Sequence, residues 1–210
     1  MIEPKRRQQI YDRTFQFIKK NKVQYIPVDI DELCKSCGVG LVPLSRIVND
    51  TGLSEKDIFA IWGNEDGSVS TYGNKHRIAY NDHRCAGRKR FTVCEELGHI
   101  ICEHTKDPSF NMFCQTYEED VYARYDEEAR MSAGFLVCHP KFFFTHEWLL
   151  EPEVMSEVCG ITPSCATTRY AVLQKYRSDI EANVAYRFLS LPRAVGGMRK
   201  YEMRRANSTR

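Results

Sequence analysis

Arg90-Phe91-Thr92-Val93-Cys94-Glu95-Glu96-Leu97-Gly98-His99 is the stretch on which the reading of this chain turns. It holds no proline and lies inside a helical pattern running from about Cys85 to His104. At about 100° per residue, His99 lies about 40° round the helix from Glu95, and Glu96 about 100° round, so all three can address one small volume. His104 lies about 180° away and stays on the opposite face for as long as the helix continues. A His99/His104 pair is therefore not expected.

The spacing is that of H-E-x-x-H, in which two histidines one turn apart hold zinc and the glutamate between them polarises the attacking water. Here the first position is Glu95, so the motif reads E-E-x-x-H. A catalytic zinc needs a third protein ligand and an open position. The next helical stretch offers one in Asp126-Glu127-Glu128-Ala129-Arg130. Taken alone, the decapeptide reads more simply as an acidic, solvated helix face than as a metal site.

Outward from this helix, the chain divides into an early β region and a later helical one. Tyr11, Phe15 and Ile18 fall at helical spacing between Lys5 and Lys20. Asp29 is placed to cap a short helix over Ile30 to Cys37, which Gly38 stops. Ile58 to Trp62, Ser68 to Tyr72 and Arg77 to Tyr80 read as an antiparallel meander around two Gly-containing turns. Val39 to Leu44 is a candidate fourth strand. Beyond Asn81 the pattern is helical: about Cys85 to His104, Tyr117 to Cys138, Pro152 to Cys159, Pro163 to Tyr176 and Asp179 to Leu189. The expected class is α+β, a small antiparallel sheet followed by helices.

With 210 residues, 42% of them hydrophobic, the chain can bury a substantial core. The net charge of +2 argues against binding nucleic acid by bulk charge. That charge is uneven: Val195 to Arg210 carries +4, leaving a body of −2. No run approaches about 18 apolar residues, so no membrane span is expected. Nine cysteines, with no apolar segment after the basic Met1 to Arg7, suggest a reduced, cytoplasmic chain rather than a disulfide scaffold. Cys34-Lys35-Ser36-Cys37 lacks the second pair a zinc ribbon needs and reads as part of a buried helix face. Cys102 falls on the Glu95 side of its helix and is expected to pack beneath the site.

From about Tyr25 to Tyr176 the chain resembles the ImmA/IrrE family of metallopeptidases directed at helix-turn-helix repressors. The resemblance rests on Ile26-Pro27-Val28-Asp29-Ile30-Asp31-Glu32-Leu33, Arg77-Ile78-Ala79-Tyr80-Asn81, Arg90-Phe91-Thr92 and Leu97-Gly98-His99. It also rests on Glu128-Ala129 with Ala133, Leu136-Val137 and Pro140, similar to the family's E-A-N-x-F-A-A-x-L-L-M-P block. The resemblance implies a zincin-like helical core, with His99 and Glu128 as metal ligands beside Glu95, and Glu96 as general base. It implies that Arg77, Ile78, Ala79, Tyr80 and Asn81 form the sheet edge receiving an extended substrate by strand addition. The departures are Glu95 for the first histidine, Arg130 for the asparagine and Ser132 for the phenylalanine.

Glu95 alters the expected chemistry. Two histidines, one glutamate and Zn²⁺ sum to +1, whereas Glu95, His99, Glu128 and Zn²⁺ sum to zero, so the bound water becomes a weaker acid. More oxygen ligands also admit manganese or iron. Three readings stay open: a working peptidase, a slow metal enzyme, and a silent module that binds the same repressor-type partner. Val158 to Ala166 reads as a helix-turn-helix-like unit that either buttresses the core or, less simply, meets DNA through Thr167, Thr168, Arg169 and Lys175. The expected organisation is a peptidase domain over 1–150, a helical extension over 151–190 and a basic tail over 191–210. Lys106 to Thr116 is a candidate lid.

Overall fold

The computed structural model describes residues 2–107, 110 and 119–194. Its elements are α1 (Pro4–Lys20), β1 (Tyr25–Ile26), α2 (Ile30–Cys37), β2 (Gly40–Pro43), α3 (Leu44–Thr51) and α4 (Glu55–Trp62). The two longer strands follow, β3 (Gly67–Tyr72) and β4 (Lys75–Tyr80), and then α5 (Ala86–Ile101). A 3-10 turn at His104–Lys106 precedes α6 (Glu119–Val137) and α7 (Pro140–Thr145). The chain closes with α8 (Pro152–Cys159), α9 (Pro163–Ala182), α10 (Val184–Arg187) and β5 (Arg193–Ala194). The α+β class holds: a small sheet early in the chain, helices after it.

The local signals explain several boundaries. Asp29 accepts the Glu32 N–H at 3.0 Å, and Gly38 ends α2 at φ 74°. Thr162 caps α9 with Pro163 at its first position, after Gly160 has closed α8 at φ 59°. The helix-turn-helix-like pair therefore forms, with α9 running past Tyr176 to Ala182. Arg169 is buried in it and donates to the Arg130 carbonyl at 2.7 Å, so it buttresses α6 and is not presented outward.

Two expectations about the β region are corrected. Ile58 to Trp62 is helical: Ser54 and Asp57 cap one another's backbone, and Ile58 and Trp62, one turn apart, bury against Leu44. The sheet is mixed, in the order β2-β4-β3: β3 runs antiparallel to β4, while β2 lies parallel to it, Gly40 opposite Arg77 and Pro43 opposite Tyr80. Arg77 to Tyr80 thus lies in the central strand, with Asn81 just past its end. Its backbone is engaged on both sides, so it is not the edge that could accept an added strand. Among the described residues, β3 pairs only with β4, so Gly67–Tyr72 is the outer strand on that side of the sheet, and it packs against α5.

The main core joins both halves of the chain. Ile10, Tyr11, Phe15 and Ile18 of α1 pack with Phe135 of α6 and Tyr186 of α10, and Ile161, Leu173 and Ile180 belong to the same cluster. Ser132, where the resemblance expects phenylalanine, shares a buried 2.9 Å hydrogen bond with Thr14. Arg193 and Ala194, expected in a tail, pair parallel with Tyr25 and Ile26; the remainder of the basic segment, 195–210, lies outside the described residues, as does most of the candidate lid. The eight described cysteines are free thiols. No helix among the described residues is long and apolar enough to cross a membrane.

His139 gives the fold a pH dependence. It is 1% exposed, neither ring nitrogen meets a partner, and burial pushes it down to about 4. The unfolded chain binds this proton from about pH 6.5 downward and the folded chain does not, so stability is lost as pH falls from 6.5 towards 4. Between pH 7 and pH 5 His139 should account for about 2 kcal/mol of that loss. Urea unfolding of His139→Phe at the two pH values should show the loss reduced by that amount; an unchanged difference would refute the assignment.

Candidate active site

The site is built where α5 crosses α6. Gly98 makes the crossing close: a Cβ there would stand 2.4 Å from the Ala129 carbonyl oxygen. This contact brings Asp126, Glu128 and Arg130 of α6 beside Glu95 and His99 of α5. On the other side of α5, Gly67 of β3 lies so near that a Cβ would meet Thr92 Cγ2 at 2.9 Å. Glu96 lies beside the Val69 backbone of β3, which favours its carboxylate against burial.

His99 is buried, and its two nitrogens look in different directions. Nδ1 lies 3.0 Å from His104 Nδ1, and His104 Nε2 lies 2.9 Å from Glu128 Oε2. Nε2 faces Asp126 Oδ1 at 3.6 Å. The His99/His104 pair, not expected from an unbroken helix, forms because α5 ends at Ile101. Glu103 then takes a left-handed φ of 66° and turns His104 back onto the site. His104 stacks on Tyr125, centroids 4.3 Å apart, and His99 stacks on Phe110 at 5.0 Å.

The sequence-derived ligands Glu95, His99 and Glu128 do not converge on one point. Glu95 Oε1 accepts from Arg130 Nε at 2.7 Å, and Arg130 Nη2 reaches Asp126 Oδ2 at 3.1 Å. Glu128 Oε2 accepts from Arg6 Nε at 2.9 Å and from Arg6 Nη2 at 2.5 Å, besides its contact with His104. Sequence reasoning missed Arg6, His104 and the pairing of Arg130 with Glu95. Of these, Arg130 had been noted as a departure from the family block, and His104 had been considered and set aside.

The charges follow from this placement. Burial would raise Glu128, but the His104 and Arg6 hydrogen bonds outweigh it and hold the carboxyl at about 2. Glu96 moves the other way: burial, then the neighbouring Glu95 and Asp126 carboxylates, push it up to about 8. Burial also raises Glu95 and Asp126, against the pull of Arg130. His99 is driven down to about 3 by burial and then by His104, so its imidazole is neutral at pH 7.

The chain resembles the ImmA/IrrE family. Residues 54–142 match the family model described as Peptidase_M78: IrrE N-terminal-like domain. The match spans α4 through the start of α7, and so contains β3, β4, α5 and α6. No curated protein matches the chain, and no solved structure does.

A metal of the kind this family suggests can be tested against the donors. Zinc bonds of 2.0–2.2 Å at a tetrahedral angle place two ligand atoms about 3.4 Å apart. The 3.6 Å between His99 Nε2 and Asp126 Oδ1 fits that span, with a neutral imidazole as one donor. Separately, donor atoms of Cys102, His104 and Glu128 lie within 4.8 Å of one another and could hold a metal ion. The donors around α5 and α6 therefore fit a divalent cation, with His99 and Glu128 of the set expected from the sequence among them.

Proposed function

We propose that the chain is a metal-dependent endopeptidase of the IrrE type, acting on a protein partner. The observation that carries this reading is one of placement. Glu96 lies beside the backbone of Val69 on the outer strand β3, and His99 follows less than one turn later on the same helix. An extended polypeptide added along Gly67–Tyr72 would bring its peptide groups over these two side chains. By the family resemblance, the polypeptide belongs to a helix-turn-helix repressor, and its cleavage would change gene expression.

Zinc bound at His99 would supply Lewis acidity to the scissile carbonyl and to the attacking water. The protein supplies the rest. The Glu96 carboxylate takes the proton from the nucleophile and returns it to the departing amide nitrogen. A carboxyl poised near neutrality is suited to both transfers. Glu128 holds His104, and His104 holds the Nδ1 side of His99, fixing the imidazole. We assign these parts to a peptidase domain over 1–150, on which the 151–190 extension packs.

A second reading has a specific observation behind it. Arg130 covers Glu95 and Asp126, and Arg6 covers Glu128, as in a recognition module whose carboxylates are neutralised from within. The magnitudes favour the enzyme. Arg130 is 51% exposed, and ion pairs of that kind contribute about 0–1 kcal/mol. Structural zinc sites gain about 10 kcal/mol or more. A half-solvated arginine cannot hold off a metal on those terms. Purified protein should carry about one equivalent of transition metal, lost in His99→Ala. Protein of native purity without metal, and without cleavage of any repressor offered, would leave the recognition module as the answer.

A further inference from the structure

We propose that the face formed by the end of α1, the β1–β5 pair and α10 is a docking surface for an anionic lipid bilayer. Lys19, on this face, lies thirteen residues along α1 from Arg6, which reaches Glu128. At 1.5 Å per residue that is a span of about 20 Å, so a bilayer here leaves the α5–α6 crossing uncovered.

The face presents apolar side chains to solvent. Val184 and Phe188 are each 64% exposed, and Tyr25 and Leu191 are each 46% exposed. Val184 and Phe188 are four residues apart at the α10 turn and leave the same side of it. Tyr186, between them, turns inward against Phe15 and Phe144. Asn183 fixes the turn, accepting from the Tyr186 N–H and donating to Asp12 of α1 at 2.9 Å. The exposed pair is therefore held outward by a packed support.

The charge around these side chains is of one sign. The Lys19 ammonium stands 5.3 Å from the centroid of the Phe188 ring. Lys20 and Lys22 follow on the same connection, Arg187 precedes Phe188, and Arg193 lies opposite Tyr25. All five are exposed, and among the described residues none meets a carboxylate. Elsewhere Arg46, Arg84, Arg88 and Arg177 are each paired with an acid. The acids bordering the face are Asp29 and Glu32, which share a cavity with Lys22 and Tyr25 on its α2 side. Because Ala194 pairs with Ile26, the chain enters Val195 to Arg210 from this face, bringing five more basic residues against Glu202 alone.

This combination selects the partner. Protein interfaces are depleted in lysine, and a second copy related by a twofold axis would set these cations against themselves. A nucleic acid would take the cations through its phosphates and leave Val184, Phe188 and Leu191 without a role. A bilayer uses both sets. Anionic headgroups meet the lysines and arginines, the apolar side chains enter the acyl boundary, and a tyrosine suits the depth between. A few side chains on one turn make a weak anchor, so attachment is reversible and depends on charge, as it does for a single acyl chain beside a polybasic patch.

The test is cosedimentation of the full chain with vesicles of phosphatidylcholine, with and without about 30% phosphatidylserine. The anionic vesicles should bind at least about 30-fold more tightly, and added salt should release the protein. Lys19→Gln and Arg193→Gln should each weaken binding about 5-fold. Val184→Ser with Phe188→Ser should weaken it about 10-fold or more and leave the melting temperature unchanged, since both side chains are exposed. Phe188→Trp should gain quenching by brominated acyl chains that the wild type lacks. Equal binding to both vesicles, or to neither, would overturn the proposal, as would full binding by the serine variant or no added quenching at Trp. Tighter binding to a DNA duplex than to the anionic vesicles would assign the face to nucleic acid instead. A stable dimer abolished by the serine substitutions would assign it to a second copy.

Discussion

Gly98→Ala is expected to destabilise the protein by about 3 kcal/mol or more, and to move the site residues of α5 and α6 apart. On helix propensity alone the change should help, since alanine is favoured over glycine by about 1 kcal/mol in a helix interior. The crossing reverses that sign. The new methyl group would stand 2.4 Å from the Ala129 carbonyl oxygen and 3.0 Å from Ala129 C and Cα, all backbone atoms of α6. A helix cannot yield as a side chain does, so α6 must slide or tilt, and overpacking of this kind costs about 1–3 kcal/mol even where side chains can adjust. In a domain of this size, 3 kcal/mol lowers the melting temperature by roughly 6–12 °C. The same displacement moves Asp126 and Arg130 relative to His99 and Glu95, so metal affinity should fall with stability. A variant that melts at or above wild type and binds metal equally well would show that the crossing is not as close as its geometry requires.

The parts of the fold legible in the sequence were those that local chemistry determines. Asp29 and Gly38 bound α2 because a side-chain cap and a left-handed glycine act within a few residues. Thr162-Pro163 started α9 for the same reason. Ile58 to Trp62 was misread because five apolar residues in a row satisfy either period; Ser54 and Asp57, just upstream, carried the deciding signal. The parallel pairing of β2 with β4 joins residues 37 apart, and nothing in either strand alone specifies it, so the edge was placed on the wrong strand.

The site was half legible. Glu95, Glu96 and His99 fall together by helical geometry, and the next helix was correctly expected to bring carboxylates. Which carboxylate meets His99 depends on the rotation of α6 against α5, a tertiary quantity that Gly98 and Ala129 set. His104 was ruled out on the premise that the helix continued past it. That premise fails at Glu103, a residue type that seldom adopts the left-handed conformation, with no glycine, asparagine or proline beside it to signal a stop. The relay from Glu128 through His104 to His99 was hidden by that one backbone angle.

Glu96→Gln should divide activity from stability more sharply than any other change. As the proton carrier, Glu96 should contribute about 10³-fold to kcat/KM, within the usual range for general acid–base groups. Glutamine keeps the shape and removes the buried charge, so metal content and fold should survive. Stability should rise. The carboxyl is pushed up to about 8 by burial and by Glu95 and Asp126, so above about pH 4.5 the unfolded chain releases a proton that the folded chain retains. Folding therefore loses stability as pH rises from 4.5 towards 8, and an uncharged glutamine removes that loss. The gain at pH 7 should be about 3 kcal/mol, measured by urea unfolding. In wild type, kcat/KM should climb with pH as Glu96 ionises, and a bound cation, by favouring the carboxylate, should draw that limb below pH 8. The acid limb should disappear in the glutamine variant. A variant that is inactive and also destabilised would mark Glu96 as a structural residue, and one that still cleaves at the wild-type rate would move the base elsewhere.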